Sequence, residues 1–194
     1  MACVRVFHSL SMKLLLTADI DDVHWNHGTG QVDLILSLGD NSDKLILEAS
    51  QAYNCPHVFA VRGNHDHDEG KPFPKPIIDL HMTTQKFNGM TFGGLNGALK
   101  PHSHPVSIPF LYEQNEVRRY MSAFPPVDIF ISHNSPRGLH ERDDYSYAGF
   151  DGLTNYILEH KPKYLFHGHQ HINRETVCDA TKVICVYGWK VIEI

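Results

Sequence analysis

Several features that mark specialised classes of protein are scarce in this chain of 194 residues. It has only four cysteines and no C-x-x-C pair, which argues against a disulfide framework and a cysteine-rich zinc site. No apolar run approaches the roughly 20 residues that cross a bilayer, and residues 1–11 make a poor signal peptide. We therefore expect a cytoplasmic globular protein with reduced thiols and no membrane partner.

Basic residues are also too few and too scattered to indicate a nucleic-acid surface. The chain has 17 Lys and Arg against 22 Asp and Glu, for a net charge of −5, and no basic block. The length and an apolar fraction of 42% suit one domain with a proper core. Because Met12 directly precedes the first predicted strand, we interpret residues 1–11 as a non-native N-terminal extension and residues 12–194 as a single domain.

What the chain has in quantity is histidine, 15 in all, together with short apolar runs that end in polar side chains. Five runs typical of buried strands are followed by candidate metal ligands: 14–18 by Asp19, 34–39 by Asp40, 58–61 by Asn64, 128–132 by His133, and 164–168 by His169 and His171. Carboxylate and amide oxygens and imidazole nitrogens all bind divalent metals. Ligands of open α/β sheets bind at the carboxyl ends of the strands, so these side chains predict one shared site.

The hydrophobic pattern predicts an α/β fold. Strands are expected at 12–18, 33–38, 57–61, 127–132 and 163–167, with two or three more near 174–178, 182–187 and 189–193. Helices are expected at 44–52, 112–123 and 150–160, and the first lies between two strands as in a parallel βαβ unit. Asn88-Gly89 and Gly93-Gly94 are read as turns between short strands. The long loop 134–149 is expected to lie over the site, with 140–144 as a solvated charge run and His167 as a packed core residue.

The ordered strand ends resemble the calcineurin-like metallophosphoesterase family, which is recognised by D-x-H, G-D, G-N-H-[DE], an isolated H and G-H-x-H. The matching pieces are Asp19-Ile20-Asp21, Gly39-Asp40, Gly63-Asn64-His65-Asp66, His133 and Gly168-His169-Gln170-His171, and all but the first match outright. The resemblance implies two stacked mixed β-sheets flanked by helices, a four-layer αββα sandwich, in the small branch without a cap domain. It also implies metal-dependent hydrolysis of phosphomonoesters or phosphodiesters, with a small phosphate ester as substrate.

The same resemblance implies a two-metal site with Asp40 shared between the ions. One ion takes Asp19, the residue at position 21 and His171, and the other takes Asn64, His133 and His169. A bridging hydroxide attacks phosphorus, and His65 then protonates the leaving alkoxide while Asp66 orients its ring. For Arg62 two readings stay open: a hydrogen bond to a phosphate oxygen, or a structural ion pair.

The chain departs from the family pattern at position 21, where Asp stands in place of His. We favour Asp21 as a ligand because its offset from Asp19 fits the motif, although Asp22 and His24 lie close enough to substitute. A further carboxylate favours hard ions. The expected cofactors are thus two divalent ions, with Mn²⁺ preferred over Mg²⁺, Fe, Zn²⁺ or Ni²⁺.

Two other functions remain as alternatives. One is a non-catalytic interaction scaffold on the same fold, as in the metallophosphoesterase-like retromer subunit, and degenerate ligands would be its sign. The other is a nuclease of the same superfamily, which the lack of a basic groove disfavours. The sequence does not indicate the natural substrate or the oligomeric state.

Overall fold

The computed structural model describes residues 11–20, 28–66, 71–101 and 109–194. In chain order its elements are β1 (Lys13–Ala18), β2 (Leu34–Leu38), α1 (Asp43–Ala52), β3 (Val58–Val61), β4 (Ile77–Asp79), β5 (Thr84–Phe87), β6 (Met90–Leu95), β7 (Ala98–Leu99), β8 (Leu111–Tyr112), α2 (Gln114–Ala123), β9 (Ile129–Ser132), α3 (Asp151–His160), β10 (Tyr164–His167), β11 (Arg174–Cys178), β12 (Thr181–Cys185) and β13 (Gly188–Glu193). All of the predicted N-terminal extension except Ser11 lies outside these residues.

Most strands belong to two mixed sheets. The first has the order β13-β1-β2-β3-β4, in which β1 to β4 are parallel and β13 is antiparallel to β1. The second has the order β11-β12-β10-β9-β6-β5, with parallel central strands and antiparallel strands at both edges. A short parallel pair, β7 and β8, stands apart from both. Because β1, β2 and β3 are parallel, their carboxyl ends lie at one edge of the first sheet. The carboxyl ends of β9 and β10 likewise lie at one edge of the second sheet.

Three apolar layers hold the sheets and helices together. Leu16, Leu36, Ile131 and Phe166 represent the layer between the two sheets, and all four are fully buried. A second layer, which contains Ile46 and Ala49, lies between α1 and the first sheet, and a third lies under α2 and α3 on the second sheet. Strands covered on both faces must be apolar throughout, which explains the continuous apolar runs of the sequence. The predicted arrangement of two mixed sheets flanked by helices is confirmed.

The helices begin where the sequence indicates. Ser42, predicted as part of a helix cap, accepts a hydrogen bond from the Leu45 N–H at 3.4 Å, and α1 starts one residue later. Glu113 and Glu116 form a reciprocal capping box at the start of α2. Each α-helix in the described ranges has ten residues, and none is long and apolar enough to span a membrane.

One of the two predicted turns is correct and the other is wrong. Asn88 and Gly89 both have positive φ and join β5 to β6, as expected for a hairpin. Gly93 and Gly94 instead lie inside β6, buried in the second sheet. A Cβ on Gly93 would come 2.6 Å from the Phe124 ring, and one on Gly94 would come 2.8 Å from Val61. These glycines therefore make room for packing and do not reverse the chain.

Candidate metal centre

The candidate ligands follow strand ends from both sheets, and the chain reaches them through strained turns. Asp19 and Asp40, after β1 and β2, have φ of 55° and 53°, and His169 and His171, after β10, have φ of 65° and 50°. The left-handed region is costly for residues other than glycine, and such strain concentrates at functional sites. Each of these turns places its side chain at the edge where the two sheets meet.

The centre of the group is formed by Asp19, Asp40 and His133, which are all buried and each offer a ligand atom within 4.8 Å of the others. His133 Nε2 lies 3.3 Å from Asp40 Oδ2 and 3.0 Å from Asn64 Oδ1. His133 Nδ1 donates to the Leu38 carbonyl at 2.9 Å, and this bond turns Nε2 towards the oxygens. The set combines two carboxylates with neutral donors, which fits a divalent cation.

The electrostatics of the group favour a cation between the carboxylates. Burial alone would raise the pKa of Asp40, but the His133 imidazole and the His65 N–H outweigh it and hold that pKa well below its usual range. Burial would lower the pKa of His133, but Asp40 and Asp19 raise it to about 9. The neighbouring carboxylates therefore stabilise positive charge at this point, where a bound dication would also be stabilised.

His169 and His171 complete the described part of the group. The Ser146 carbonyl can only accept, so His169 Nε2, at 2.9 Å, carries the proton and Nδ1 keeps the lone pair for a metal. The His169 N–H also donates to Asp19 Oδ2 at 2.9 Å. His171 Nε2 lies 3.6 Å from Asp19 Oδ1, and its ring stacks on Tyr187. Asp21, with Asp22 and His24, lies outside the described residues, so its predicted ligand role remains a prediction.

His65 and Asp66 follow the third strand but point to different environments. The His65 N–H donates to Asp40 Oδ1 at 2.8 Å, and its exposed side chain lines a cavity of about 440 Å³ beside the ligands. Asp66 is buried, and its Oδ2 accepts from the Gly63 N–H at 2.6 Å and the Asp40 N–H at 3.1 Å. Burial raises the pKa of Asp66 to about 6. Through these contacts Asp66 links the turn after β2 to the turn after β3, a role that the sequence analysis did not predict.

Of the two readings for Arg62, the structure favours the ion pair. The side chain is buried, and Nη1 lies 2.7 Å from Asp43 Oδ1 at the start of α1. The guanidinium also lies 3.6 Å from the centre of the Phe73 ring. Arg62 is not among the described residues that line the cavity. The other reading, a hydrogen bond to a phosphate oxygen, has no support among the described contacts, because Nη1 and Nη2 both donate to Asp43, at 2.7 and 3.4 Å.

A buried histidine pair behind the site was missed. The prediction of a solvated charge run at 140–144 is wrong for His140, which is buried, whereas 142–144 are exposed as predicted. His167 is fully buried, as predicted. His167 Nδ1 donates to the Gly168 carbonyl at 3.0 Å, which leaves Nε2 to accept from His140 Nδ1. His140 Nε2 in turn accepts from the Thr176 hydroxyl at 2.9 Å. Burial is the main cause that lowers the pKa of His140 to about 4 and that of His167 to about 3, and nearby positive charge adds to it. Both rings therefore stay neutral.

Comparison with known proteins identifies the family and the fold of the chain. The family model of the calcineurin-like phosphoesterases matches residues 13–173. No curated protein matches the sequence significantly. Among solved structures, TT1561 of Thermus thermophilus is similar, with 14% identity, 91% of this chain and 89% of that chain covered, and a TM-score of 0.60.

Two further solved structures share the fold. The phosphopantetheinyl hydrolase of Mycobacterium tuberculosis has 12% identity, with 91% of this chain and 89% of that chain covered and a TM-score of 0.57. A putative 5′-nucleotidase from Staphylococcus aureus has 12% identity, with 94% and 50% covered and a TM-score of 0.52. The family model spans most of the chain and all of the described ligands, so this protein belongs to the calcineurin-like phosphoesterase family.

Proposed function

We propose that the protein is a metal-dependent hydrolase of phosphomonoesters or phosphodiesters that uses two divalent ions. The observation that carries the proposal is the convergence of buried Asp19, Asp40 and His133 at one edge of the two sheets. Exposed acidic clusters are common on proteins, but Asp19 and Asp40 are both buried, and the single imidazole of His133 can balance the charge of only one of them. Family membership independently supports hydrolysis of a phosphate ester.

The contacts support a division of the ligands between the two ions. His133 Nε2 contacts both Asn64 and Asp40, and its ring lies 5.0 Å from that of His169, centre to centre. His171 Nε2 contacts Asp19 at 3.6 Å. We assign Asp40 to both ions and Asp21 to the ion held by Asp19 and His171. If Asp21 is a ligand, the carboxylate-rich set favours Mn²⁺ over Zn²⁺. A cytoplasmic location is part of the proposal, based on the free thiols of Cys55, Cys178 and Cys185.

The residues then have distinct tasks in hydrolysis. When bound, the ions lower the pKa of water and polarise a phosphoryl oxygen. His65 lines the cavity with an exposed side chain and protonates the departing alcohol oxygen. Its backbone is fixed by the bond to Asp40, so the proton donor and the shared ligand are positioned together. Asp66 holds the turn that presents both Asn64 and His65.

Metal removal and replacement test the proposal. The full chain is stripped with a chelator, reloaded with Mn²⁺ and assayed on an aryl phosphomonoester and a bis-aryl phosphodiester. We expect turnover of at least one ester. Asp40→Asn should lower kcat/KM by at least about a hundredfold, because the loss of a group that only hydrogen-bonds to a ligand already costs about 10- to 100-fold in metal affinity or activity. Asp179→Asn is the control, because Asp179 forms an exposed ion pair with Lys161. No turnover of either ester by the Mn²⁺-loaded protein would instead favour the non-catalytic scaffold.

A further inference from the structure

The cavity beside the metal ligands has one apolar wall. Its lining includes three candidate metal ligands and the proposed proton donor: Asn64, His169, His171 and His65. The apolar wall consists of Ala98 and Leu99 from β7, Leu111 from β8 and Pro101, and Ser146 and Tyr147 complete the described lining. Pro101 and Leu111 supply most of the exposed hydrocarbon of this wall, because Ala98 and Leu99 are almost fully buried. A group bonded to phosphorus at the metal ligands would therefore extend along hydrocarbon.

This apolar wall is fixed to the site. The Gly97 N–H donates to the Arg62 carbonyl at 2.7 Å, directly before the turn that presents Asn64 and His65. Ala98 N–H and Lys100 N–H bond to the Phe110 and Tyr112 carbonyls on the partner strand. Gly97 has φ of 73°, and a Cβ there would come 2.0 Å from the Phe110 carbonyl. Leu99 also belongs to the apolar layer under α2 and α3, so the wall is a continuation of the core.

The cavity offers little to a second anionic group. None of the described residues that line it is Lys or Arg, and, of the segments outside the described ranges, 21–27, 67–70 and 102–108 contain neither residue, while 1–10 contains Arg5. Of the nearby cations, Lys100 pairs with Glu113 at 3.7 Å, and Arg142 lies 4.1 Å from the centre of the Tyr147 ring but does not itself line the cavity. A second phosphate on this wall would lose its hydration without a cation in return.

We infer that the substrate is a phosphate ester of an apolar alcohol, and that the wall formed by Ala98, Leu99, Pro101 and Leu111 binds its hydrocarbon group. The inference rests on the proposed function and names the substrate class of the same site. Burial of hydrocarbon stabilises binding by about 0.8 kcal/mol per methylene, which corresponds to about a fourfold gain per methylene. Esters with a polyanionic or sugar group gain nothing from this wall.

A homologous series of ligands tests the inference on the Mn²⁺-loaded full chain. Straight-chain alkyl phosphates from ethyl to hexyl serve as substrates, since their leaving alcohols have similar acidity. The matching alkylphosphonates, which cannot be hydrolysed in this way, serve as binding probes by calorimetry. We expect kcat/KM and phosphonate affinity to rise severalfold with each added methylene until the wall is covered.

Leu111→Asn is the variant of choice, because Leu111 is only half-buried and its replacement leaves the core intact. We expect this variant to flatten the chain-length dependence, with the largest loss of kcat/KM and of phosphonate affinity for the hexyl compounds. Leu158→Asn, on the exposed face of α3, is the matched control and should keep the wild-type slope. A wild-type slope of zero, or an unchanged slope in Leu111→Asn, overturns the inference while turnover upholds the proposed function. No turnover of any ester overturns the function, and the phosphonate series then still decides whether the wall binds hydrocarbon.

Discussion

His140 Nδ1 and His167 Nε2 lie 3.0 Å apart inside the protein, although the two residues belong to different segments on either side of α3. His140 reaches this position from the loop that follows β9, in the left-handed conformation with φ of 62°. Through His167 it connects the Thr176 hydroxyl to the Gly168 carbonyl. Gly168 precedes His169, so the pair fixes the backbone that carries two candidate ligands.

We predict that His140 positions the ligand loop. His140→Ala should weaken Mn²⁺ binding about 10- to 100-fold, the usual cost of losing a group that orients a ligand. His140→Gln keeps a side-chain donor towards His167 and should recover part of the affinity. Calorimetric titration of Mn²⁺ measures both, and His160→Ala, on α3, is the control. Unchanged Mn²⁺ affinity in His140→Ala, even with a lower melting temperature, would reduce His140 to packing.

The same pair predicts a pH dependence of stability for the metal-depleted protein. Folding lowers the pKa of His140 from about 6.5 to about 4, so below pH 6.5 the unfolded chain binds a proton that the folded chain does not. The stabilisation is complete above pH 6.5 and is lost as the pH falls towards 4, by up to about 3 kcal/mol.

Urea unfolding between pH 4.5 and 7.5 measures this loss. His140→Gln lacks the titrating group, so its free energy of unfolding should fall less steeply below pH 6.5 than that of the wild type. Parallel curves for the two proteins would assign the pH dependence to other groups.

A pair of glycines allows the turn after β2 to be tested. Gly39 and Gly89 both have positive φ, at 93° and 78°, but a Cβ on Gly39 would come 2.5 Å from His133 Nδ1, whereas one on Gly89 meets nothing within 4 Å. Gly89→Ala should cost only the backbone term of about 1–2 kcal/mol. Gly39→Ala should cost at least about 1–3 kcal/mol more, because it overpacks the site, and should weaken Mn²⁺ binding.

Chemical denaturation and Mn²⁺ titration of both variants distinguish the two effects. Equal losses of stability, with Mn²⁺ affinity preserved in Gly39→Ala, would show that His133 can move aside without consequence.

The ion pair of Arg62 predicts a loss of stability that is separable from catalysis. Arg62→Met leaves the Asp43 carboxylate without its partner and should lower the free energy of unfolding by about 3 kcal/mol. The double variant with Asp43→Asn should recover part of that loss, because the uncompensated charge is gone. A phosphate contact would give the opposite pattern: a raised KM in Arg62→Met, little change in unfolding, and no recovery in the double variant.

The sequence analysis was strongest where a strand ends in a ligand. A strand buried on both faces must be apolar, so the point at which Leu38 gives way to Gly39 and Asp40 is visible without coordinates. The parallel βαβ order then places such ends at one edge. The proximity of Asp19 and Asp40 follows from these two facts, whereas His133 follows a strand of the second sheet and joins them only because the two sheets stack.

Contacts that depend on tertiary packing were not accessible in the same way. His140 lies between polar residues, and only the fold shows that its loop turns inward against β10 and β11. The ion pair between Arg62 and Asp43 depends on how the start of α1 meets the end of β3. The bond from the Asp40 N–H to Asp66 depends on how the turn after β2 meets the turn after β3. The prediction of a turn at Gly93 and Gly94 was wrong for a related reason. The neighbouring sequence does not indicate that the Phe124 ring, directly after α2, packs over Gly93.

Asp19, Asp40 and Asn64 extend from the first sheet, whereas His133, His169 and His171 extend from the second. Ions held by both sets would cross-link two layers whose inner faces are otherwise joined by interlocked hydrocarbon. Ligand binding to the folded state alone at a hundred times its dissociation constant adds about 2.7 kcal/mol to stability. Chelation should therefore weaken the contact between the two sheets before it affects either sheet. The first effect of metal loss would be a wider separation of the sheets at the edge that carries the ligands.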